Sequence, residues 1–220
     1  MGETEREAED MIRTWIADIK ELTKKEKYLQ YYKKVPEFRR EKADRILSEG
    51  GKALSVGAWT LLEMMRSEYG VKAEAVYNLS HSGDYALCSI DDCGRTDIML
   101  GCDVEGIKEM REGVAKRFFC ESEFRYIMRQ KTEKKRAEEF YRYWVLKESF
   151  MKATRLGMKL GLDRFEIQVA GEERPRLLRQ PEEFPEMFFF QEYEIEGIAY
   201  KIAVCSNADT ISKEIKHVIL

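Results

Sequence analysis

Two carboxylates stand two residues apart in the stretch Leu100-Gly101-Cys102-Asp103-Val104-Glu105. In a β-strand, residues at this spacing point to the same face, so Asp103 and Glu105 share a face and the apolar residues point to the other. Neighbouring carboxylates repel each other unless a proton or a cation lies between them, and oxygen ligands of this kind suit Mg²⁺ or Mn²⁺. The pattern indicates either a metal site or an exposed polar face at a strand end.

A second pair, Glu148 and Lys152, stands at i and i+4, which puts both side chains on one face of a helix. Exposed pairs of this kind are common and stabilise a helix by only about 0.2–0.5 kcal/mol. Here Tyr141 and Trp144 precede the pair, and charges beside so much aromatic surface need a partner or a function. Lys147 points elsewhere on the helix and is a weaker candidate.

A third candidate is the block Asn78-Leu79-Ser80-His81-Ser82, which precedes Gly83. Hydroxyls, an imidazole and backbone N–H groups together suit an anion such as a phosphate. A Ser/His/Asp triad is the competing reading. It is disfavoured because the chain has no Gly-x-Ser-x-Gly elbow, and because Ser80 and His81 would point to opposite faces of a strand.

The composition excludes several classes of protein and site. The 220 residues suffice for one large domain or two small ones, and the net charge of −3 gives no support for non-specific binding to nucleic acid or a membrane. With two histidines, multi-histidine zinc sites are excluded, and five cysteines without a CxxC are typical of buried thiols in a reducing compartment. The start Met1-Gly2-Glu3-Thr4-Glu5-Arg6 lacks a signal-peptide core, which predicts a cytoplasmic protein.

The hydrophobic periodicity predicts an α+β chain made of two similar halves, each with a long helix followed by strands and a hairpin. We place the halves at 1–106 and 107–220, with functional sites between them. Residues 1–44 are polar and helix-prone. The predicted helices cover 45–66, 109–119, 122–128 (capped by Ser122) and 133–156, and the predicted strands cover 75–80, 85–90, 98–105, 165–169, 176–179, 187–195 and 198–206.

Taken together, these motifs resemble the 4′-phosphopantetheinyl transferase superfamily, most of all its surfactin-synthetase-activating type. The matching segments are Asn-Leu-Ser-His-Ser at 78–82, Gly-Cys-Asp-Val-Glu at 101–105, Lys-Arg-Phe-Phe at 116–119 and Trp-x-x-Lys-Glu-Ser-Phe-x-Lys at 144–152. Their order and separations fit that type throughout residues 38–206. The resemblance implies a chain of two pseudo-symmetric halves that transfers 4′-phosphopantetheine from coenzyme A to a serine of an acyl or peptidyl carrier protein and releases 3′,5′-ADP.

The resemblance also implies roles for individual residues. Mg²⁺, with Mn²⁺ as the alternative, would be bound by Asp103, Glu105 and Glu148. Glu148 would be the general base, and Lys152 would hold the α-phosphate. The implied coenzyme A contacts are Ser80 and His81 at the phosphates, Arg40, Lys42 and Arg45 (with Arg39 as a further candidate) at the 3′-phosphate, and Gly70 and Lys72 near the adenine.

Two departures weaken the match locally: no Pro follows Gly70-Val71-Lys72, and Val145 replaces a small hydroxyl residue. A basic cluster would dock an acidic carrier protein; its members are Lys116, Arg117, Lys131, Lys134, Lys135 and Arg136. The family type predicts a monomer. The alternatives are a non-catalytic module that binds coenzyme A or a carrier protein, and a Mg²⁺-dependent pyrophosphate hydrolase.

Overall fold

The computed structural model describes residues 11–169 and 174–220. The first six residues, from which we predicted that a signal-peptide core is lacking, lie outside the described residues. Runs of helices and runs of mostly antiparallel strands follow one another along the chain, which confirms the α+β prediction. The helices are α1 (Lys25–Tyr32), α2 (Glu37–Asp44), α3 (Glu49–Tyr69), α4 (Glu112–Phe118), α5 (Glu121–Met128) and α6 (Glu133–Ala153). The strands are β1 (Ile12–Asp18), β2 (Tyr77–Ser82), β3 (Tyr85–Asp91), β4 (Leu100–Gly106), β5 (Glu166–Gln168), β6 (Arg176–Arg179), β7 (Phe189–Tyr193), β8 (Tyr200–Ser206) and β9 (Ile211–Ile219).

Two sheets pack face to face, and each carries a long helix on its outer face. One sheet has the strand order β2-β3-β1-β9 and the other β4-β8-β7. Alternation along the strands builds the layers: in β3, Leu87 faces the other sheet while Cys88 faces α3. In β8, Val204 faces the first sheet and Cys205 faces α6. The order of layers is therefore helix, sheet, sheet, helix.

The two halves exchange strands. After the hairpin β2–β3 the chain enters the second sheet as β4, which pairs antiparallel with β8, and at its end β9 returns to pair parallel with β1. The outer strand β4 of one sheet thereby lies beside the outer strand β2 of the other. The boundary between residues 106 and 107 stays a prediction, but this exchange is what brings the candidate residues of both halves together.

Several predicted elements need correction. Residues 12–18 form a buried strand, not part of a helix-prone segment, because Trp15 and Ile16 enter the cores on the two faces of the sheet. The helix predicted at 45–66 begins at Glu49, where the Ser48 hydroxyl caps the backbone N–H of Gly51, and Leu47 is fully exposed.

In the second half, the cap of α5 is Cys120 instead of Ser122, with the Glu123 carboxylate bonded to the Cys120 N–H. The long helix α6 ends at Ala153, three residues earlier than predicted. Strand β9 was not predicted, because only its pairing with β1 gives its exposed residues a place in the sheet. Among the described helices, none is long and apolar enough to cross a membrane.

Candidate active site

Strand β4 presents its two carboxylates toward α6. Leu100, Cys102 and Val104 are buried between the sheets, and the alternating residues face the helix, as the spacing predicts. At Gly101 the backbone approaches α6 so closely that a Cβ atom would clash with the carbonyl oxygen of Ser149 and the backbone nitrogen of Ala153. Only glycine fits there, and its absence of a side chain brings Asp103 to the last turn of α6.

Asp103, which is buried, and Lys152, which is partly exposed, form an ion pair at this contact. The Lys152 Nζ donates to Asp103 Oδ1 at 2.7 Å, to the Ser80 hydroxyl at 2.8 Å and to the Cys102 carbonyl at 3.1 Å. The Ser80 hydroxyl in turn donates to Asp103 Oδ1 at 2.8 Å. Although burial opposes the charged form of Lys152, Asp103 and other nearby negative groups raise its pKa, so the ammonium persists at neutral pH.

The second carboxylate oxygen of Asp103 is buried and has no hydrogen-bond partner among the described residues. Burial raises the pKa of Asp103, and the ion pair with Lys152 and the bond from Ser80 oppose that shift. A buried oxygen that keeps unused acceptor capacity beside a cleft can bind a hard cation or a donor of a substrate. Lys152 thus bonds only Oδ1 of Asp103, and Oδ2 can accept a bond from a substrate or bind a cation.

Glu105 and Glu148 complete the group, which we call the cleft cluster: Ser80, Asp103, Glu105, Glu148 and Lys152. Glu105 accepts a bond from the Ser82 hydroxyl at 2.7 Å, and its pKa is raised by burial and by the charge of Asp103. Burial and the charges of Asp103 and Glu105 likewise raise the pKa of Glu148. The three predicted carboxylates are therefore close enough for their charges to affect one another.

The predicted metal ligands are near one another but are not a ready-made metal site. Within residues 11–169 and 174–220, no three His, Cys, Asp or Glu side chains converge closely enough to hold a metal ion by themselves. Mg²⁺ commonly takes only one or two protein carboxylates and completes its shell with waters and substrate phosphates. The free oxygen of Asp103 and the neighbouring carboxylates therefore fit a cation that binds together with a phosphate-bearing substrate.

The basic residues predicted to contact phosphates differ in their exposure and in the groups that they bond. Partial burial and then the charges of Lys152 and Lys42 lower the pKa of His81, a residue that is exposed at the end of β2. Arg40 donates to the Val35 carbonyl at 2.8 Å. Arg45 is highly exposed, at 3.9 Å from Glu41.

Arg39 packs over Trp59, with its guanidinium carbon 4.5 Å from the ring centroid, and its Nε is buried without a described partner. Gly70 ends α3 in the left-handed conformation, and Lys72 is exposed just after it. Arg40 and Arg45 thus have local partners, whereas Lys42 is linked to the site only through the effect of its charge on the pKa of His81.

Sequence reasoning missed two polar contacts of β2. Asn78 Oδ1 accepts from the backbone N–H of Cys102 at 3.1 Å, and Ser82 bonds Glu105. The signal was available, since Asn78, Ser80 and Ser82 alternate along one strand and must share a face. What the pattern did not say is that this face meets β4.

A groove of about 710 Å³ continues from the cleft cluster along α6, lined by Glu105, Arg111, Phe140, Tyr141 and Trp144 among others. Its wall combines aromatic rings with charged groups of both signs. The predicted basic cluster lies near this end of the molecule, with Lys134 and Arg136 lining a neighbouring cleft of about 430 Å³. Both openings give room for a substrate larger than a single phosphate group.

Part of the chain is similar in sequence to known proteins. A sequence model of the 4′-phosphopantetheinyl transferase superfamily matches residues 99–205. The 4′-phosphopantetheinyl transferase psf-1 of Bacillus pumilus is 31% identical over 140 residues, which cover 64% of this chain and 56% of that protein. The 4′-phosphopantetheinyl transferase Sfp of Bacillus subtilis (strain 168) is 30% identical over 133 residues, covering 60% of this chain and 55% of that protein.

The match thus spans a little over half the length of these relatives. Among solved structures, holo-[acyl-carrier-protein] synthase (AcpS) of Thermotoga maritima superposes on 50% of this chain and 62% of its own, with a TM-score of 0.42 and 22% identity. The family match contains Asp103, Glu105, Glu148 and Lys152, whereas Ser80 and His81 precede it. Residues 99–205, which contain every ionisable member of the cleft cluster, match the sequence model of the 4′-phosphopantetheinyl transferase superfamily, the family that the motifs of the sequence resemble.

Proposed function

We propose that this protein transfers 4′-phosphopantetheine from coenzyme A to a serine of an acyl or peptidyl carrier protein and releases 3′,5′-ADP. The observation that supports this most directly is the cleft cluster, where a lysine ammonium at 2.7 Å from Asp103 stands among acidic groups next to a half-occupied buried carboxylate. Such a cluster binds a diphosphate together with a divalent cation, which the carboxylates hold, and psf-1 and Sfp are both 4′-phosphopantetheinyl transferases.

The reaction exchanges one oxygen–phosphorus bond for another. The carrier serine Oγ attacks the phosphorus that bears the pantetheine arm, and the bond from this phosphorus to the bridging oxygen breaks. The proton of the serine goes to Glu148, whose raised pKa makes it a better base than an ordinary carboxylate. The electron pair of the broken bond leaves with 3′,5′-ADP.

Lys152 stabilises the charge that grows on the phosphate oxygens. Its Nζ already bonds Ser80 and Asp103, so the ammonium is fixed in position before the substrate binds, and this preorganisation favours the transition state. His81, with its lowered pKa, is a neutral hydrogen-bond donor at pH 7. Lys42 adds positive charge near His81, and Ser80, which bonds both Lys152 and Asp103, holds the ammonium in place. Arg40, Arg45, Gly70 and Lys72 remain proposals for the adenylate end of coenzyme A.

A divalent cation fits the acidic side of the cleft. Asp103, Glu105 and Glu148 would hold Mg²⁺, or Mn²⁺ in its place, with the remaining ligands from the coenzyme A phosphates. The cation supplies neutralisation of charge on the phosphate oxygens. This role matches the buried oxygen of Asp103 that has no described partner.

The carrier protein would approach along α6 and the basic cluster. Lys116, Arg117, Lys131 and Lys134 are exposed, as expected for groups that meet an acidic partner, while Lys135 is engaged with Glu138 at 2.6 Å. Both sheets beside the cleft come from one chain, so a monomer suffices for the proposed activity. A cytoplasmic location is part of the same proposal.

Mass spectrometry of an apo carrier protein tests the function. The protein is incubated with coenzyme A, Mg²⁺ and carriers of the fatty-acid, polyketide and peptide-synthetase kinds. We expect one carrier to gain the mass of a single phosphopantetheine group while 3′,5′-ADP accumulates in equal amount. No gain on any carrier would refute the transferase. Release of 3′,5′-ADP without a carrier would identify a pyrophosphate hydrolase, and binding without turnover a non-catalytic module.

The role of Glu148 is tested by Glu148→Gln, which keeps the shape of the side chain and removes its basicity. We expect the transfer rate to fall by about 10²–10⁴, the usual contribution of a general base. Glu138→Gln on the same helix is the matched control, because Glu138 pairs with Lys135 away from the cleft cluster. Residual activity of Glu148→Gln near that of Glu138→Gln would remove the proposed base.

A further inference from the structure

A row of polar side chains joins the two sheets where β2 and β4 run side by side. We call it the polar seam: Asn78, Ser80 and Ser82 of β2 with Cys102, Asp103 and Glu105 of β4. Asn78 holds the backbone N–H of Cys102, Ser80 bonds Asp103 Oδ1 at 2.8 Å, and Ser82 bonds Glu105 Oε2 at 2.7 Å. The two strands have no backbone ladder in common, so these side chains fix the position of one strand against the other.

Each carboxylate of β4 has its own serine in β2, with the same spacing of two residues on both strands. The contacts differ in what surrounds them. Ser80 is buried and also accepts from Lys152, whereas Ser82 is half-buried at the end of β2 and its carboxylate partner is more open to solvent. Asp103 is therefore held by several groups at once, while the orientation of Glu105 depends on Ser82.

A glutamate without that bond would sample other rotamers. Its side chain has three rotatable bonds, and the charge of Asp103 on the same strand face repels it toward solvent. The Ser82 hydroxyl opposes both effects by tethering one carboxylate oxygen. A hydrogen bond to a charged group stabilises a structure more than a bond between neutral groups, which makes a single hydroxyl sufficient here.

We propose that Ser82 is a positioning residue for the proposed transfer: its hydroxyl tethers one oxygen of Glu105 to β2 and leaves the carboxylate ready to bind a divalent cation with Asp103. This inference rests on the proposed function. It assigns Ser82 to cation affinity and not to the chemical step, because Ser82 acts through Glu105.

The test compares cation binding with turnover in four variants. Mn²⁺ binding is measured by the electron paramagnetic resonance signal of the free ion, in the presence of coenzyme A and with a protein-free blank. Ser82→Ala and the nearly isosteric Ser82→Cys remove or weaken the donor, and Ser82→Thr keeps a hydroxyl. Ser122→Ala is the matched control, since Ser122 makes the same kind of bond to Glu166 far from the cleft cluster.

For Ser82→Ala we expect about tenfold weaker Mn²⁺ binding, the size of one charge-assisted hydrogen bond. The Mg²⁺ concentration for half-maximal transfer should rise by a similar factor, while the rate at saturating Mg²⁺ stays close to that of the unaltered protein. Ser82→Thr should bind Mn²⁺ far better than Ser82→Ala, and Ser122→Ala should behave as the unaltered protein. Ser82→Cys should fall between Ser82→Thr and Ser82→Ala.

Two failures are distinguishable. If the unaltered protein transfers phosphopantetheine and Ser82→Ala binds Mn²⁺ as tightly as it does, the positioning role is wrong and the proposed function stands. If the unaltered protein neither transfers the group nor binds Mn²⁺ with coenzyme A, both fall. A loss of the rate at saturating Mg²⁺ with unchanged Mn²⁺ binding also overturns the role assigned to Ser82.

Discussion

Lys147 and Lys152 stand five positions apart on the same helix, and both pair with a carboxylate. Lys147 is completely buried, 2.9 Å from Glu123, and donates to the carbonyl oxygens of Leu162 and Phe165 at 2.7 and 2.8 Å. Lys152 makes a similar number of bonds, but its side chain is 27% exposed at the polar seam. The nitrogen-to-oxygen distances of the two ion pairs are similar, but the two carboxylates differ in whether an oxygen remains without a hydrogen bond.

In the Lys147 pair, both carboxylate oxygens of Glu123 are bonded. They accept from backbone N–H groups, those of Ile167 and Cys120. Burial is the main reason that the pKa of Lys147 is lowered and the pKa of Glu123 is raised. In the Lys152 pair, one oxygen of Asp103 has no described partner. A saturated pair holds α5, α6 and the following loop together, whereas an unsaturated pair beside a cleft can bind a substrate.

The largest effect that separates the two pairs is on stability. Lys147→Met leaves the Glu123 carboxylate buried without its counter-charge, and we expect a loss of about 3–5 kcal/mol in the free energy of unfolding. Urea denaturation measures it. Glu123→Gln added to Lys147→Met should recover part of the loss, because no uncompensated charge remains. A loss below about 1 kcal/mol for the single variant would show that this pair is not structural.

The same substitution at the second lysine should act on catalysis instead. We expect Lys152→Met to slow the proposed transfer by about 10²–10³, the usual effect of removing one transition-state donor. Its stability loss should be the smaller of the two, because Asp103 keeps the Ser80 hydroxyl and lies beside the cleft. Initial rates and urea denaturation of both methionine variants provide the comparison. Equal stability losses with full activity in both would abolish the distinction between the pairs.

The smallest expected effect is on the pKa of His81, which the positive charges of Lys152 and Lys42 lower. Removing the positive charge of Lys42 makes protonation of His81 less unfavourable, so Lys42→Ala should raise the pKa of His81. Nuclear magnetic resonance of the imidazole protons measures this directly, with His217, the other histidine of the chain, as an internal reference. Lys33→Ala, an exposed lysine after α1, is the control. A pKa that falls or stays constant would place Lys42 away from the phosphate side of the cleft.

Local pattern was enough to predict the long helices, most strands and the pairing of residues on each element. The two-residue alternation of β4 predicted that Asp103 and Glu105 share a face, and the four-residue spacing predicted the same for Glu148 and Lys152. The predictions failed where an element depends on a distant partner. Strand β1 was missed because its apolar residues enter two cores, and β9 because its exposed residues pair with β1.

By itself, the sequence determined which side chains stand together on each element and which chemistry their types allow, because helix and strand geometry depends on neighbours a few residues away. The tertiary structure alone decided which carboxylate each lysine of α6 pairs with, Glu123 for Lys147 and Asp103 for Lys152. It also decided that Ser80 meets Asp103 across 23 residues of chain and that Lys152 meets Asp103 across 49. Those contacts follow from the packing of two sheets and from the close approach at Gly101, which no local pattern encodes.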